Sequence, residues 1–274
     1  MYLTRHDTPQ GPRWALDGAA LPPDFQLGLL LQLPAAAMAP FLNAIPRPTA
    51  AIGPLLPPVE AMHEVWASGV TYLQSREARE AESTVRDVYA RVYDAERPEL
   101  FFKASGWRVV GHTAAIRVRE DSRWNVPEPE LTLVINAGRE IVGYTVGNDV
   151  SSRDIEGENP LYLPQAKVYS RSCAVGPGIV LADVEALRDL PIAIAILRSG
   201  QTVFEGTTRI RRMKRRLDEL AEYLCRELEF PRGVFLMTGT GIVPPHEFSM
   251  VAGDIVRITI DELTLENPVT SSPL

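Results

Sequence analysis

The chain is expected to fold as an α+β protein that is mainly β, a β roll or sandwich with a few helices. Three observations carry this expectation. Apolar residues alternate at Leu131, Leu133 and Ile135, at Ile192, Ile194 and Ile196, and at Val256, Ile258 and Ile260, the two-residue period of a half-buried strand. Ala137-Gly138 and Ser199-Gly200 follow two of those runs and read as hairpin turns. Strand patterns outnumber helical ones and do not alternate with them, which argues against a doubly wound parallel sheet.

Taken in order, the first 60 residues hold 11 of the 23 prolines and only seven charged side chains. They are read as a small N-terminal accessory region, residues 1–60, ahead of a main domain, residues 61–274. The most apolar stretch, 27–45, contains Gln32, Pro34, Pro40 and Asn43. A bilayer penalises such groups, so it reads as a short helix and loops packed on the domain. Val85, Val88, Tyr89 and Val92 share one helical face and predict a helix over 75–93. The run Ile141 to Gly147 reads as a buried strand. Met213, Leu217, Leu220, Leu224 and Leu228 predict a second amphipathic helix over 211–229.

Composition narrows the function. The 274 residues are 45% hydrophobic and 23% charged, an ordinary globular balance. Lys plus Arg is 28 against 35 Asp plus Glu, a net charge of -7, so there is no general attraction to nucleic acid or an anionic membrane. Two cysteines, Cys173 and Cys225, make no disulfide framework and suit a reducing cytoplasm. The first residues carry no apolar signal core.

Three segments can carry chemistry. In Pro127-Glu128-Pro129-Glu130, an extended backbone points both carboxylates to one face, where only a cation or a proton relieves their repulsion. A solvated Pro-Glu turn is the plain alternative. Asp149, at the end of a strand in Asn148-Asp149-Val150-Ser151-Ser152-Arg153, offers a third oxygen ligand suited to Mg²⁺ or Mn²⁺, or else caps the following turn. Lys167 lies among apolar and aromatic neighbours and is either a catalytic cation or a surface lysine with a buried stem.

The order Tyr72, Pro98-Glu99-Leu100-Phe101-Phe102-Lys103, Glu128-Pro129-Glu130-Leu131, Gly143 to Asp154, Lys167, Thr238-Gly239-Thr240-Gly241 and Gly253-Asp254 resembles the fumarylacetoacetate hydrolase superfamily, from about residue 64 to 269. The resemblance implies a mixed β-sandwich roll and a homodimer or dimer of dimers. It implies Glu128, Glu130 and Asp149 as ligands of Mg²⁺, with Mn²⁺ or Ca²⁺ as alternatives, Lys167 as the active-site lysine, and Arg153 and Thr240 as substrate contacts.

One departure is informative. Hydrolases of this superfamily usually carry a histidine three to five residues after the tyrosine of the loop near Tyr72, and Gly69 to Glu80 contains none. Hydrolysis needs a base on water, whereas loss of water from a substrate does not. Glu64 to Tyr72 and Glu158 to Tyr169 resemble the branch containing 2-keto-3-deoxy-D-arabinonate dehydratase. The expectation is a metal-dependent dehydratase taking a small 2-keto-3-deoxy sugar acid to 2-oxoglutarate semialdehyde. A C–C hydrolase, a decarboxylase or isomerase, and a non-enzymatic binding protein are the competing readings. Glu99 is the expected acid/base partner of Lys167, unless it is a strand-end surface acid. Lys167 is itself a base only if burial near the ion lowers its pKa. Ser75 is a substrate contact or the N-cap of a helix from 76. Arg76 and Arg79 recognise substrate or belong to a solvated helix of alternating charge, and His112 reads as a loop residue.

Overall fold

The computed structural model describes residues 1–82 and 86–272. Its strands are β1 (Tyr2–His6), β2 (Arg13–Leu16), β3 (Ala19–Ala20), β4 (Leu55–Leu56), β5 (Glu64–Gly69), β6 (Glu99–Ser105), β7 (Ile116–Arg117), β8 (Asn125–Val126), β9 (Pro129–Ile135), β10 (Ile141–Asp149), β11 (Ser151–Ser152), β12 (Cys173–Leu181), β13 (Pro191–Arg198), β14 (Gln201–Arg209), β15 (Val234–Met237), β16 (Ile255–Ile260) and β17 (Leu263–Thr270). Its helices are α1 (Leu27–Leu30), α2 (Ala35–Ala44), α3 (Leu73–Glu82), α4 (Arg86–Asp94), α5 (Arg153–Glu158), α6 (Leu163–Lys167), α7 (Val184–Leu187) and α8 (Leu217–Leu224).

A ten-stranded sheet runs β3-β2-β1-β12-β10-β9-β15-β5-β6, with β4 beside β1, and a five-stranded sheet runs β14-β13-β16-β17-β7. Most neighbours are antiparallel, but β15 pairs with β5 in parallel. This is the mainly β mixed architecture the alternating runs predict. Leu131, Leu133 and Ile135 on one face of β9 pack with Ile192, Ile194 and Ile196 and with Val256, Ile258 and Ile260. Val134, on the opposite face, packs with Leu27, Leu30 and Leu42. β9 is therefore buried on both sides, and it can hold a polar group rigidly. Ser199 and Gly200 both have positive φ, 50° and 78°, as a two-residue hairpin turn requires. At the other hairpin Arg139, not Gly138, takes the left-handed conformation, at 67°.

The composition boundary near residue 60 is not a break in the sheet. Leu3 of β1 pairs with Ile179 of β12, and Leu3, Trp14, Leu27 and Leu42 share a core with Val65 and Phe235. Glu60 ties the two regions together, because its Oε1 accepts from the Leu27 amide at 2.6 Å and the Trp14 indole at 3.0 Å.

One predicted helix is shorter than expected, and the other coincides with two described helices. The span 75–93 holds α3 and α4, and Val85 lies outside the described residues, as do the side chains of Val88 and Tyr89. The span 211–229 keeps only α8; Met213 precedes it, and Leu228 follows it 40% exposed. The basic run before α8 is occupied elsewhere: Lys214 pairs with Asp94 at 2.7 Å, and Arg215 donates to the carbonyls of Val92, Ala95 and Glu96. These bonds hold the run extended against the end of α4. Among the described residues no helix is long and apolar enough to cross a membrane, and Cys173 and Cys225 are free and buried.

Candidate active site

The ladder between β9 and β10 builds the centre of the site. Gly147 pairs with Glu130 and Asn148 with Pro129, and the Asp149 amide donates to the Glu128 carbonyl at 3.0 Å. Asp149 thus stands directly across from Glu128, and Glu130 lies two residues along on the same face. Cross-strand and alternate neighbours on one face lie within side-chain reach. The three carboxylates each offer an oxygen within 4.8 Å of the others, and all three are buried.

Four cations surround them. Lys167, the last residue of α6, donates to Glu128 Oε2 at 2.7 Å, Asp149 Oδ2 at 3.1 Å and Ser151 Oγ at 2.6 Å. Arg79 and Arg153 both donate to Glu128 Oε1 at 2.7 Å. Lys103 of β6 pairs with Asp149 Oδ1 and donates to the Val150 carbonyl at 3.0 Å. Glu130 Oε2 instead accepts from the Gly239 amide at 2.6 Å. Gly239 has φ +91°, and a Cβ there would lie 2.1 Å from Thr71 Oγ1, so only glycine brings this amide to the carboxylate.

A cleft opens over the triad. Ser75, Arg79, Glu99, Glu156, Lys167 and Thr240 are among its lining residues. Ser75 and Arg79, four apart on α3, lie on one helical face. The helix begins at Leu73, so Ser75 is not the N-cap of a helix from 76; its hydroxyl donates to the Tyr72 carbonyl at 2.8 Å. Thr240 Oγ1 is bonded to the backbone of Ile242 at 3.2 Å. Glu99, where β6 begins, reaches over Gly69, whose Cβ would lie 2.1 Å from Glu99 Oε2. Arg153, expected as a substrate contact, is 2% exposed and reaches Glu128 from the start of α5. It is not part of the described cleft wall.

The charges divide the carboxylates. Burial pushes Glu130 well above the usual carboxylate range, and Asp149 and Glu128 add to it. Burial would also raise Glu128, but Lys167, Arg79 and Arg153 together hold it well below that range. Burial and the neighbouring Glu156 push Glu99 up to about 7, a value suited to moving a proton near neutrality. For Lys167, burial favours the neutral amine, but Asp149 and Glu128 outweigh it and raise the ammonium above the ordinary lysine value. With the carboxylates free of an ion, Lys167 is held as a cation, which favours a charged substrate-binding group over a base.

The donor set fits a hard divalent cation. It is all oxygen and buried, and the like-charge crowding that raises Glu130 is what such an ion relieves. No histidine lines the cleft among the described residues. His63 is buried between the Glu60 amide and the Arg232 carbonyl, His112 accepts from the Glu266 amide, and His246 packs on Trp124.

The sequence reading assigned no role to Glu156 or Lys103, and left Arg79 between substrate recognition and a solvated helix. Arg79 sits in a helix of alternating charge yet is 8% exposed and pairs with Glu128 at 2.7 Å and Glu156 at 3.0 Å. Glu156, on α5, is 4% exposed and lies 3.0 Å from Arg79. Lys103 lies inside β6, after Leu100-Phe101-Phe102, and a lysine with aromatic residues before it was its only signal.

A β roll with an oxygen-only metal set, a buried lysine and a titratable carboxyl in one cleft defines a metal-dependent enzyme class acting on oxygen-rich small molecules. The chain belongs to the fumarylacetoacetate hydrolase family: the family described as fumarylacetoacetate (FAA) hydrolase C-terminal matches residues 64–270. A Haloferax volcanii protein described as "Probable 2-keto-3-deoxyxylonate dehydratase" is 52% identical over 216 residues, 78% of this chain and 74% of that protein. The 2-dehydro-3-deoxy-D-arabinonate dehydratase of Saccharolobus solfataricus is 46% identical over 212 residues, 75% of this chain and 71% of that protein. A solved structure of 2-keto-3-deoxy-D-arabinonate dehydratase with magnesium and 2,5-dioxopentanoate superposes with a TM-score of 0.82 at 37% identity, covering 100% of both chains.

Proposed function

We propose that this chain is a magnesium-dependent hydro-lyase that removes water from a 2-keto-3-deoxy sugar acid such as 2-keto-3-deoxy-D-arabinonate, giving 2-oxoglutarate semialdehyde. The semialdehyde is the 2,5-dioxopentanoate carried by the solved relative. The observation that carries the reading is one cleft holding a three-carboxylate cluster and a carboxyl titrating near 7, with no histidine for water activation among its described residues.

Glu128, Glu130 and Asp149 hold the ion. When bound, Mg²⁺ supplies a Lewis acid for the 2-keto group, with Mn²⁺ or Ca²⁺ as alternatives. The chain's own groups do the rest. Glu99 takes the proton from substrate C3 as a carboxylate and returns it as an acid to the departing C4 hydroxyl, which leaves as water. A second transfer moves a proton from C5 to C3, and the enol left across C4 and C5 takes a proton at C4 as its hydroxyl gives one up, becoming the aldehyde. Lys167 stays charged and stabilises negative charge developing on substrate oxygen. Ser75 and Thr240 bind substrate hydroxyls, and Arg153 acts through Glu128. The setting is cytoplasmic, where both buried thiols stay reduced, and the assembly is a homodimer or dimer of dimers, measurable by light scattering.

The test is a panel of 2-keto-3-deoxy-pentonates assayed with metal-stripped protein, with and without added Mg²⁺. Semialdehyde forming only with the ion is the expected result. Ion-independent turnover, or full activity in Glu128→Ala, overturns the ligand assignment.

A further inference from the structure

The cleft has one arginine among its described lining residues, Arg79. A guanidinium in a substrate cleft is ordinarily a carboxylate receptor, because its donor fork matches two carboxylate oxygens. Here the fork is already engaged. Arg79 Nη2 bonds Glu128 Oε1 at 2.7 Å, and Arg79 Nη1 lies 3.0 Å from Glu156 Oε2. Glu156 also lies 3.8 Å from Arg153 Nε. It is 4% exposed, so its charge is held inside the protein against the cleft wall. On the same wall Glu99 brings a second carboxyl, and Phe101 supplies an apolar surface.

We infer that Glu156 is the specificity-determining residue that excludes dicarboxylic 2-keto acids: it occupies the carboxylate seat on Arg79 with a carboxylate of the protein. An incoming substrate with a second carboxylate would have to displace Glu156 from Arg79 or stand unpaired beside Glu156 and Glu99. The first course leaves buried Glu156 with only its 3.8 Å contact to Arg153, the second leaves the substrate charge unpaired, and both are unfavourable. A substrate ending in a hydroxyl meets no such penalty, because a hydroxyl donates a hydrogen bond to a carboxylate. Exclusion by a built-in repulsive group is a common route to specificity. The inference rests on the cleft being the substrate site, as proposed above, and it names the chemical class admitted there: 2-keto acids with one carboxylate and a neutral, hydroxylated tail.

The experiment compares two five-carbon probes that differ at the far end, 2-oxopentanoate and 2-oxoglutarate, by calorimetry on Mg²⁺-loaded protein. The unsubstituted protein should bind 2-oxopentanoate at least about tenfold more tightly. Glu156→Gln, which keeps shape and removes charge, should narrow that ratio at least about tenfold by releasing Arg79 to the second carboxylate, and Glu156→Asp should retain the preference. Equal binding of the two probes by the unsubstituted protein overturns the inference even if Glu156→Gln does not fold. A Glu156→Gln protein that weakens both probes equally overturns it too, since that is the signature of a purely structural ion pair. Absence of dehydration with every 2-keto-3-deoxy-pentonate would instead overturn the function proposed above and leave this ratio untouched.

Discussion

Lys103 and Lys167 grip Asp149 from two sides, Lys103 pairing with Oδ1 and Lys167 with Oδ2 at 3.1 Å. The carboxylate is thereby fixed against rotation at the end of β10. The lysines are also joined to each other, because Lys103 Nζ donates to the Lys167 carbonyl at 2.5 Å.

Lys103 is 1% exposed, so Lys103→Met leaves Asp149 short of a buried partner and removes two further hydrogen bonds. The expected loss of stability is about 3–5 kcal/mol. Urea denaturation of the metal-free protein measures it, and a loss below about 1 kcal/mol would be too small for a buried pair.

Mg²⁺ should raise the denaturation midpoint of the unsubstituted protein, by about 2.7 kcal/mol of added stability at a hundredfold excess over its dissociation constant. Asp149→Asn and Glu130→Gln should abolish the response. In EDTA the second variant should equal or exceed the parent in stability, because it removes the charge that burial and two neighbouring carboxylates disfavour.

Glu99 gives a pH test in the absence of metal. Its folded-state pKa, about 7, lies above its ordinary value of 4.5, so between these values the folded state binds more protons than the unfolded one. Its contribution is full below pH 4.5 and declines as pH rises to about 7. Glu99→Gln should flatten that segment of the stability profile. The same variant should lose about 10²- to 10⁴-fold in kcat, and a variant within threefold of the parent would remove Glu99 from the chemistry.

Asp254 is fully buried, takes a two-pronged bond from Arg198 at 2.8 Å on each oxygen, and accepts from the Val251 amide at 3.0 Å. Asp254→Ala should cost about 2–3 kcal/mol from the unmade charge-assisted bonds. Calorimetry should show Mg²⁺ affinity unchanged, because the residue braces the five-stranded sheet.

The two-residue period of β9, β13 and β16 was legible from residues alone, because it is written by side chains that face one core. Glu128, Glu130, Asp149 and Lys167 each had a plain alternative, and it was the order of their motifs, resembling a known superfamily, that set them apart. The burial of Arg79 against Glu156 was not legible, since a helix with charges on several faces gives no sign of which face is covered. Lys103 was hidden because its partner lies on another strand, and only the sheet order brings them together. The run before α8 is extended where a helix was expected, and there Lys214 and Arg215 contact the end of α4, which no local pattern encodes.

Val65 and Ala67 pair with Phe235 and Met237, residues far apart along the polypeptide. β5 leads into Ser75 and Arg79, and β15 leads into Gly239 and Thr240. During synthesis, every carboxylate of the triad has therefore left the ribosome before the strand that walls the cleft has been made. Closing so long a loop is slow relative to local hairpin formation, so the β9–β10 hairpin that carries the triad can form ahead of the walls around it. Until they close, the nascent chain carries an acidic pocket without its walls.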